Sequence, residues 1–201
     1  MNTHTAIMKI FNYIRSKDLL ISSLGRTAEE VFIQANNHDQ VLFVDCLGAV
    51  SGLGVGVALA CKDTNVFAFD TDGSFIYNAS ILNTISKEKT NLGNLKLFIF
   101  DNEILESAGR LPSYSQNLDW LCFIKSWDVD CEVIKDETEL DTVLNHIAGG
   151  CGLLITVVKV DNSNFENTCT KDIDGIESRY RFKRFINDNI NGGIIRPCLK
   201  N

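Results

Sequence analysis

The sequence predicts an α/β fold: a doubly wound, mostly parallel sheet with helices on both faces. Two observations carry this. Short, nearly continuous apolar runs alternate with longer helical patterns, as strands covered on both faces require. Three of the runs end in an aspartate followed by turn-forming residues (Asp45, Asp70 and Asp101). Strand–helix–strand repetition implies right-handed crossovers, and ligands in such sheets bind beyond the carboxyl ends of the strands.

The expected strands are Val41–Asp45, Val66–Asp70, Lys96–Asp101, Cys131–Ile134 and Leu153–Val160. Helices are expected at about 47–61, 75–87, 117–127 and 136–148. Thr27 followed three residues later by Glu30 reads as a capping box that opens another helix. Ile7, Ile10, Phe11 and Ile14 predict an N-terminal helix at about 5–16, and a C-terminal helix is expected at about 179–190, after a polar connector over 161–174. With no internal repeat or linker, residues 1–201 read as one domain.

The 201 residues carry 19 basic and 26 acidic side chains, a net charge of −7. That balance argues against nucleic acid or an anionic membrane as the main partner. The longest apolar run, 47–61, is broken by Ser51 and four glycines and is no membrane span. Seven cysteines without a CxxC pair point to buried reduced thiols, not a disulfide framework or zinc site. Met1–Lys9 lacks the basic start and apolar stretch of a secretory signal, so a cytoplasmic setting is expected.

Three strand-end segments carry the candidate chemistry: Asp45-Cys46-Leu47-Gly48, Asp70-Thr71-Asp72-Gly73-Ser74 and Asp101-Asn102-Glu103-Ile104. Magnesium takes about six oxygens at roughly 2.1 Å. The Asp72 carboxylate, the Asn102 amide oxygen and one main-chain carbonyl could give three, with two phosphate oxygens and water completing the shell. Gly73 would let the main chain approach a phosphate, and Ser74 would begin a helix whose N–H groups favour an anion.

Asp72-Gly73, then 27 residues, then Asp101-Asn102 resembles the signature of thiamine-diphosphate enzymes, GDG followed by about two dozen residues and NN. Cys46-Leu47-Gly48 and the small-residue run from Ser51 to Ala60 are similar to that family's GSMG segment and the helix after it. Leu24–Ala28, Asn78–Ile85 and Ser107-Ala108-Gly109 also resemble the diphosphate-binding half of phosphonopyruvate and sulfopyruvate decarboxylases.

The resemblance implies thiamine diphosphate and Mg2+ as cofactors, with Asp72, Asn102 and the Ile104 carbonyl on the metal. Cofactor contacts are implied at Cys46, Leu47, Gly48, Asp72, Gly73, Ser74, Asn102 and Ile104. Leu47, 25 positions before Asp72, matches the apolar residue that wedges the cofactor into its bent form. The family's activating glutamate resides on a separate pyrimidine-binding domain. No catalytic residue is therefore expected on this chain, which should be one subunit of a hetero-oligomer (α2β2 or larger) acting on a small anionic 2-oxo acid. Two positions depart from the pattern: Thr71 replaces the first glycine of GDG, and Gly109-Arg110-Leu111 replaces Gly-Gly-Gln. Arg110 is a candidate for the substrate's anionic group.

Other readings stay open. Asp70-Thr71-Asp72-Gly73-Ser74 also resembles the DxDG[TS] motif of haloacid-dehalogenase-type phosphatases, with Asp70 as nucleophile and Asp72 as acid/base. Gly52, Gly54 and Gly56 suggest a dinucleotide site but are spaced GxGxG, which suits close helix–sheet packing better. A non-catalytic regulatory subunit of the same fold is the third reading.

Overall fold

The computed structural model describes residues 1–150, 152–161 and 171–190. Among the described residues, eight strands and eight α-helices follow one another as α1 (Thr3–Phe11), β1 (Leu19–Ser22), α2 (Arg26–Gln34), β2 (Val41–Phe43), α3 (Val50–Ala60), β3 (Val66–Thr71), α4 (Asp72–Tyr77), α5 (Ile81–Glu88), β4 (Leu95–Asp101), β5 (Ile104–Leu105), β6 (Leu111–Pro112), α6 (Trp120–Lys125), β7 (Glu132–Ile134), α7 (Glu137–Ala148), β8 (Leu154–Lys159) and α8 (Gly175–Asn189).

Six strands form one sheet in the order β2-β1-β3-β4-β8-β7, every pairing parallel, and β5 and β6 form a short antiparallel hairpin. The chain leaves β1 outward to β2 and then returns to β3 on the other side of β1. That reversal is the topological switch point at which α/β sheets open a crevice.

Side chains alternate between two cores. Leu19, Ile21, Ala68, Leu97, Ile99 and Val157 face α3, α5, α6 and α8, whereas Leu20, Phe67, Phe69, Phe98, Phe100 and Val158 face α1, α2 and α7. On the second face Phe69 stands edge-on to Phe98 and Phe100, with ring centroids 5.8 and 5.5 Å apart. Such pairs add about 0.5–1.5 kcal/mol beyond their area.

Several expectations shift. β1, four buried residues, was not foreseen. The capping box is absent: the N-cap of α2 is Gly25, with no side-chain cap, and Glu30 is turned inward to accept from His4 Nδ1 at 2.8 Å. The helix expected at 75–87 is two helices, because Asn78 closes α4 and its amide is committed to Gly48. α4 begins at Asp72, not Ser74, because Thr71 is its N-cap. α1 ends at Phe11, α3 starts at Val50 and α6 spans only Trp120–Lys125. α8 starts at Gly175, four residues early, because Asp174 caps it through the amides of Ile176 and Glu177. Most of the connector expected over 161–174 lies outside the described residues.

Of the cysteines, Cys61 and Cys131 are buried and free as expected, whereas Cys46 and Cys122 are free but exposed. Cys151, Cys169 and Cys198 lie outside the described residues. No described helix is long and apolar enough to cross a membrane.

Gly54 is where α3 meets the sheet, and a Cβ there would lie 2.9 Å from the Ala68 Cβ; around Gly56 there is nothing within 4 Å. Gly54→Val should therefore lower the free energy of unfolding by about 1–3 kcal/mol. Gly56→Ala should raise it by up to about 1 kcal/mol, so the two urea midpoints move in opposite directions. Burial pushes the Cys131 thiol up to about 11. Alkylation at pH 8, read by peptide mass spectrometry, should label Cys46 in the native protein and Cys131 only after unfolding.

Candidate functional site

A cavity of about 60 Å3 lies at the switch point, beyond the carboxyl ends of β1, β3 and β4. Its lining comes from Ser23–Thr27 after β1, from Thr71 and Ser74, and from Asn102 and Ile104–Glu106, with Leu47 at the rim. Of the candidate residues, the structure therefore brings Leu47, Ser74, Asn102 and Ile104 together around one space. Leu47 is 40% exposed there, which removes the ordinary alternative of a core leucine.

Asp72 sits deeper. Thr71 pairs with Phe100, so Asp72 and Asp101 follow side by side on neighbouring strands. Asp72 is 1% exposed. Its Oδ2 accepts from the hydroxyls of Ser113 and Ser115, the latter at 2.8 Å. Its Oδ1 is buried and has no partner among the described residues. Burial pushes this carboxyl above the ordinary range; the serine hydroxyls oppose that and the charge of Asp101 adds to it.

Asp101 is the fixed point of the network. Its Oδ2 accepts from Trp120 Nε1 and from Lys159 Nζ, both at 2.7 Å, and its Oδ1 accepts from the Glu103 amide at 3.2 Å and lies 2.8 Å from Ser115 Oγ, whose single proton it shares with Asp72 Oδ2. Burial works against the Lys159 charge, but its bonds to Asp101 and Glu103 win and hold the ammonium above its usual range. Glu103 is a non-glycine at φ 63°, a strained conformation of the kind that collects at functional turns. Asn102 Oδ1 accepts from the Ile104 amide at 3.1 Å, which leaves its second lone pair available.

The first segment is tied to the second. The Gly48 amide donates to Ser74 Oγ at 3.0 Å, and Asn78 Nδ2 donates to the Gly48 carbonyl at 2.9 Å. Gly48 has φ +78°, and a Cβ would stand 3.2 Å from the Asn78 Cβ, so glycine is required twice over.

The other candidate positions have specific local surroundings. Ser74 offers no free amide, since its N–H is directed at Thr71 Oγ1 (3.4 Å); Thr71, the departure from the glycine pattern, serves as a helix cap. Gly73 is covered by Leu105, whose Cδ2 would lie 2.2 Å from an added Cβ, so the glycine admits a side chain where a phosphate approach was expected. Arg110 is exposed at φ 62° in the β5–β6 turn and does not line the cavity, and neither does the exposed Cys46. Asp70 is fully buried, with Oδ2 accepting from Ser51 at 2.6 Å and Oδ1 from the Thr71 amide at 3.0 Å. A phosphatase nucleophile must reach substrate, so that reading is not favoured. Gly54 packs on the sheet as the alternative to a dinucleotide site required.

Ser113, Ser115, Trp120 and Lys159 were missed by the sequence reading. Only Lys159, at the end of a strand expected to neighbour the site, carried a signal that could have been used.

A switch-point crevice flanked by hard oxygen donors at adjacent strand ends defines a cofactor-binding α/β domain of the diphosphate-binding class. The chain belongs to the thiamine pyrophosphate enzyme family, in its C-terminal TPP-binding domain, which matches residues 25–148. It is 29% identical over 147 residues to the sulfopyruvate decarboxylase subunit beta of Methanocaldococcus jannaschii; the match covers 73% of this chain and 64%, less than two thirds, of that relative. Its fold is similar to benzoylformate decarboxylase from Polynucleobacter necessarius (TM-score 0.61, 20% identity, 82% of this chain and 34% of that one). It is also similar to a putative thiamin diphosphate-dependent enzyme from Mycobacterium smegmatis (TM-score 0.64, 17% identity, 81% and 32%).

Asp101→Ala would leave Trp120 Nε1, Ser115 and Lys159 without their shared acceptor. The expected loss is about 3 kcal/mol, at the low end for a broken buried pair because Lys159 can turn to water. Urea denaturation followed by tryptophan fluorescence measures it.

Proposed function

We propose that this chain is the diphosphate- and magnesium-binding subunit of a two-chain thiamine-diphosphate-dependent 2-oxo acid decarboxylase. The observation that carries the proposal is the buried Oδ1 of Asp72, which has no partner among the described residues and lies one strand away from Asn102 and Ile104. A carboxylate oxygen, an amide oxygen and a main-chain carbonyl are the hard donors magnesium prefers, so the residues present fit the ion. Oδ2 is already held by Ser113 and Ser115, and the free oxygen is the one left to bind.

In this reading Asp72, Asn102 and the Ile104 carbonyl hold the metal and through it the diphosphate. Leu47 would pack against the cofactor, with Gly48 fixing the turn that presents it and Cys46 beside it. Thiamine diphosphate, when bound, supplies the carbanion and electron sink that let a 2-oxo acid lose carbon dioxide and leave as an aldehyde. The protein's share on this chain is positioning and charge compensation. The glutamate that activates the ring comes from a pyrimidine-binding partner in an α2β2 or larger assembly.

Two features support an incomplete site. The cavity of about 60 Å3 is far below the roughly 300–1,000 Å3 that encloses a small-molecule ligand. Beside it Tyr77, Leu111 and Tyr114 expose apolar surface, Tyr114 to 83%, as a face awaiting a partner does. The sulfopyruvate decarboxylase relative supports sulfopyruvate or phosphonopyruvate as substrate, and the four described free cysteines suit a cytoplasmic setting.

Asp72→Ala and Asn102→Ala should each abolish magnesium-dependent binding of thiamine diphosphate in calorimetric titration of the assembled enzyme, with the urea midpoint little changed for Asn102→Ala. Unchanged affinity in both variants would reject the ligand assignment. Binding without release of carbon dioxide from sulfopyruvate or phosphonopyruvate in the mixture would identify a regulatory subunit.

A further inference from the structure

We propose that Ser115 is a positioning residue that couples the candidate metal site to Trp120 and Lys159. Its hydroxyl proton is held by Asp72 while no cation is bound, and turns to Asp101 when a divalent cation takes Asp72 Oδ1. Trp120 and Lys159 share Asp101 as their acceptor and so feel the change, a role that presupposes the metal ligands proposed above.

Two hydroxyl protons, one on Ser113 and one on Ser115, must serve two buried carboxylates. Both hydroxyls reach Asp72 Oδ2, and Ser115 Oγ also lies 2.8 Å from Asp101 Oδ1. The two hydroxyl oxygens are 2.6 Å apart, and Ser113 Oγ already accepts from the Ser115 amide at 3.2 Å. A charged acceptor outcompetes a hydroxyl, so each proton goes to a carboxylate. The Ser113 proton goes to Asp72. Ser115 stands 2.8 Å from both carboxylates and can serve only one at a time.

The choice follows the unmet charge. Without Ser115, Asp101 still has Lys159, the Trp120 indole and the Glu103 amide. Asp72 has the two serines on Oδ2, and its buried Oδ1 has no partner among the described residues. In the absence of a cation, Asp72 needs the Ser115 proton more. A dication on Oδ1 reverses that balance, because it answers the Asp72 charge directly and leaves the hydroxyl to Asp101.

Hydrogen bonds in a buried chain polarise one another. One more donor on Asp101 Oδ1 draws charge away from Oδ2 and loosens its hold on the indole and the ammonium. Lys159 then leans toward its second acceptor, Glu103 Oε1 at 2.8 Å. Glu103 stands between Asn102 and Ile104, so the relay returns to the segment that carries the other candidate ligands. Ser113 stays on Asp72 Oδ2 and keeps Oδ1 as the oxygen presented.

The test is a Mg2+ titration of the assembled enzyme in thiamine diphosphate, with isotope-labelled tryptophan in this chain alone. Nuclear magnetic resonance then reads two indole N–H groups, Trp120 and the partly exposed Trp127, with Trp120→Phe assigning them. In the wild type the Trp120 proton should move upfield as Mg2+ saturates, while Trp127 stays in place. Ser115→Ala should still bind Mg2+ yet lose most of that shift. Ser113→Ala should keep the shift at saturation but weaken Mg2+ about tenfold, and Ser113→Thr should restore the affinity.

A Trp120 resonance that ignores saturating Mg2+ in the wild type, or a full shift in Ser115→Ala, would overturn the coupling. Serines that merely stabilised the fold would lower the urea midpoint in both variants without separating shift from affinity. A wild-type assembly that takes up no Mg2+ in calorimetry would defeat the metal assignment itself, and the role of Ser115 with it.

Discussion

Three carboxylates, Asp70, Asp72 and Asp101, are withdrawn from water at the carboxyl ends of β3 and β4, and the site is organised around keeping them there. Burial of an unpaired charge is among the costliest things a fold can do. Each is answered differently. Asp70 receives the Ser51 hydroxyl and the Thr71 amide, and so pins α3 and the start of α4 to β3. Asp101 receives a lysine, an indole, a hydroxyl and an amide, which joins α6, β8 and the loop after β6 to β4. Among the described residues, Asp72 is answered on one oxygen only. Its incomplete pairing stands out because its neighbours are complete.

That difference separates scaffold from site. Asp70 and Asp101 use their bonds to fix distances between elements, and in doing so fix the position of Asp72. Ser115 is the link, with its hydroxyl within 2.8 Å of both Asp72 and Asp101. The first strand-end segment is coupled through Ser74 and Asn78 to Gly48, so Leu47 is held at the cleft rim by the helix that Asp72 opens. Local geometry at 46–48 and at 72–78 is thus one unit, not two neighbouring loops.

The sheet, its parallel sense and the switch-point logic were legible because both-face burial imposes continuous apolar runs, and Val66–Thr71 and Leu95–Asp101 are such runs. β1 escaped notice because its four residues, Leu19–Ser22, form a very short run that follows a polar turn and has no closing aspartate. The second and third strand-end segments were legible through their spacing. What the spacing could not supply was side-chain direction. Leu105 stands against the missing Cβ of Gly73, and Arg110 lies in a left-handed turn outside the cavity lining; neither arrangement is written in the spacing. Ser113 and Ser115 were invisible because a hydroxyl in a loop has no periodicity; only the tertiary approach of that loop to β3 and β4 gives them partners.

The cleft itself is asymmetric in its hydrogen-bonding character. On its β3–β4 side lie oxygen acceptors, which repel an anion unless a dication intervenes. On its β1–α2 side lie donors: a serine hydroxyl, a helix N-terminus and a guanidinium. Asp72, on the acceptor side, directly follows β3, and Arg26, on the donor side, opens α2 four residues beyond the end of β1; these are the two strands on either side of the switch point. The topology therefore does more than open a crevice. It sets opposite electrostatic characters on the two walls that face each other across it.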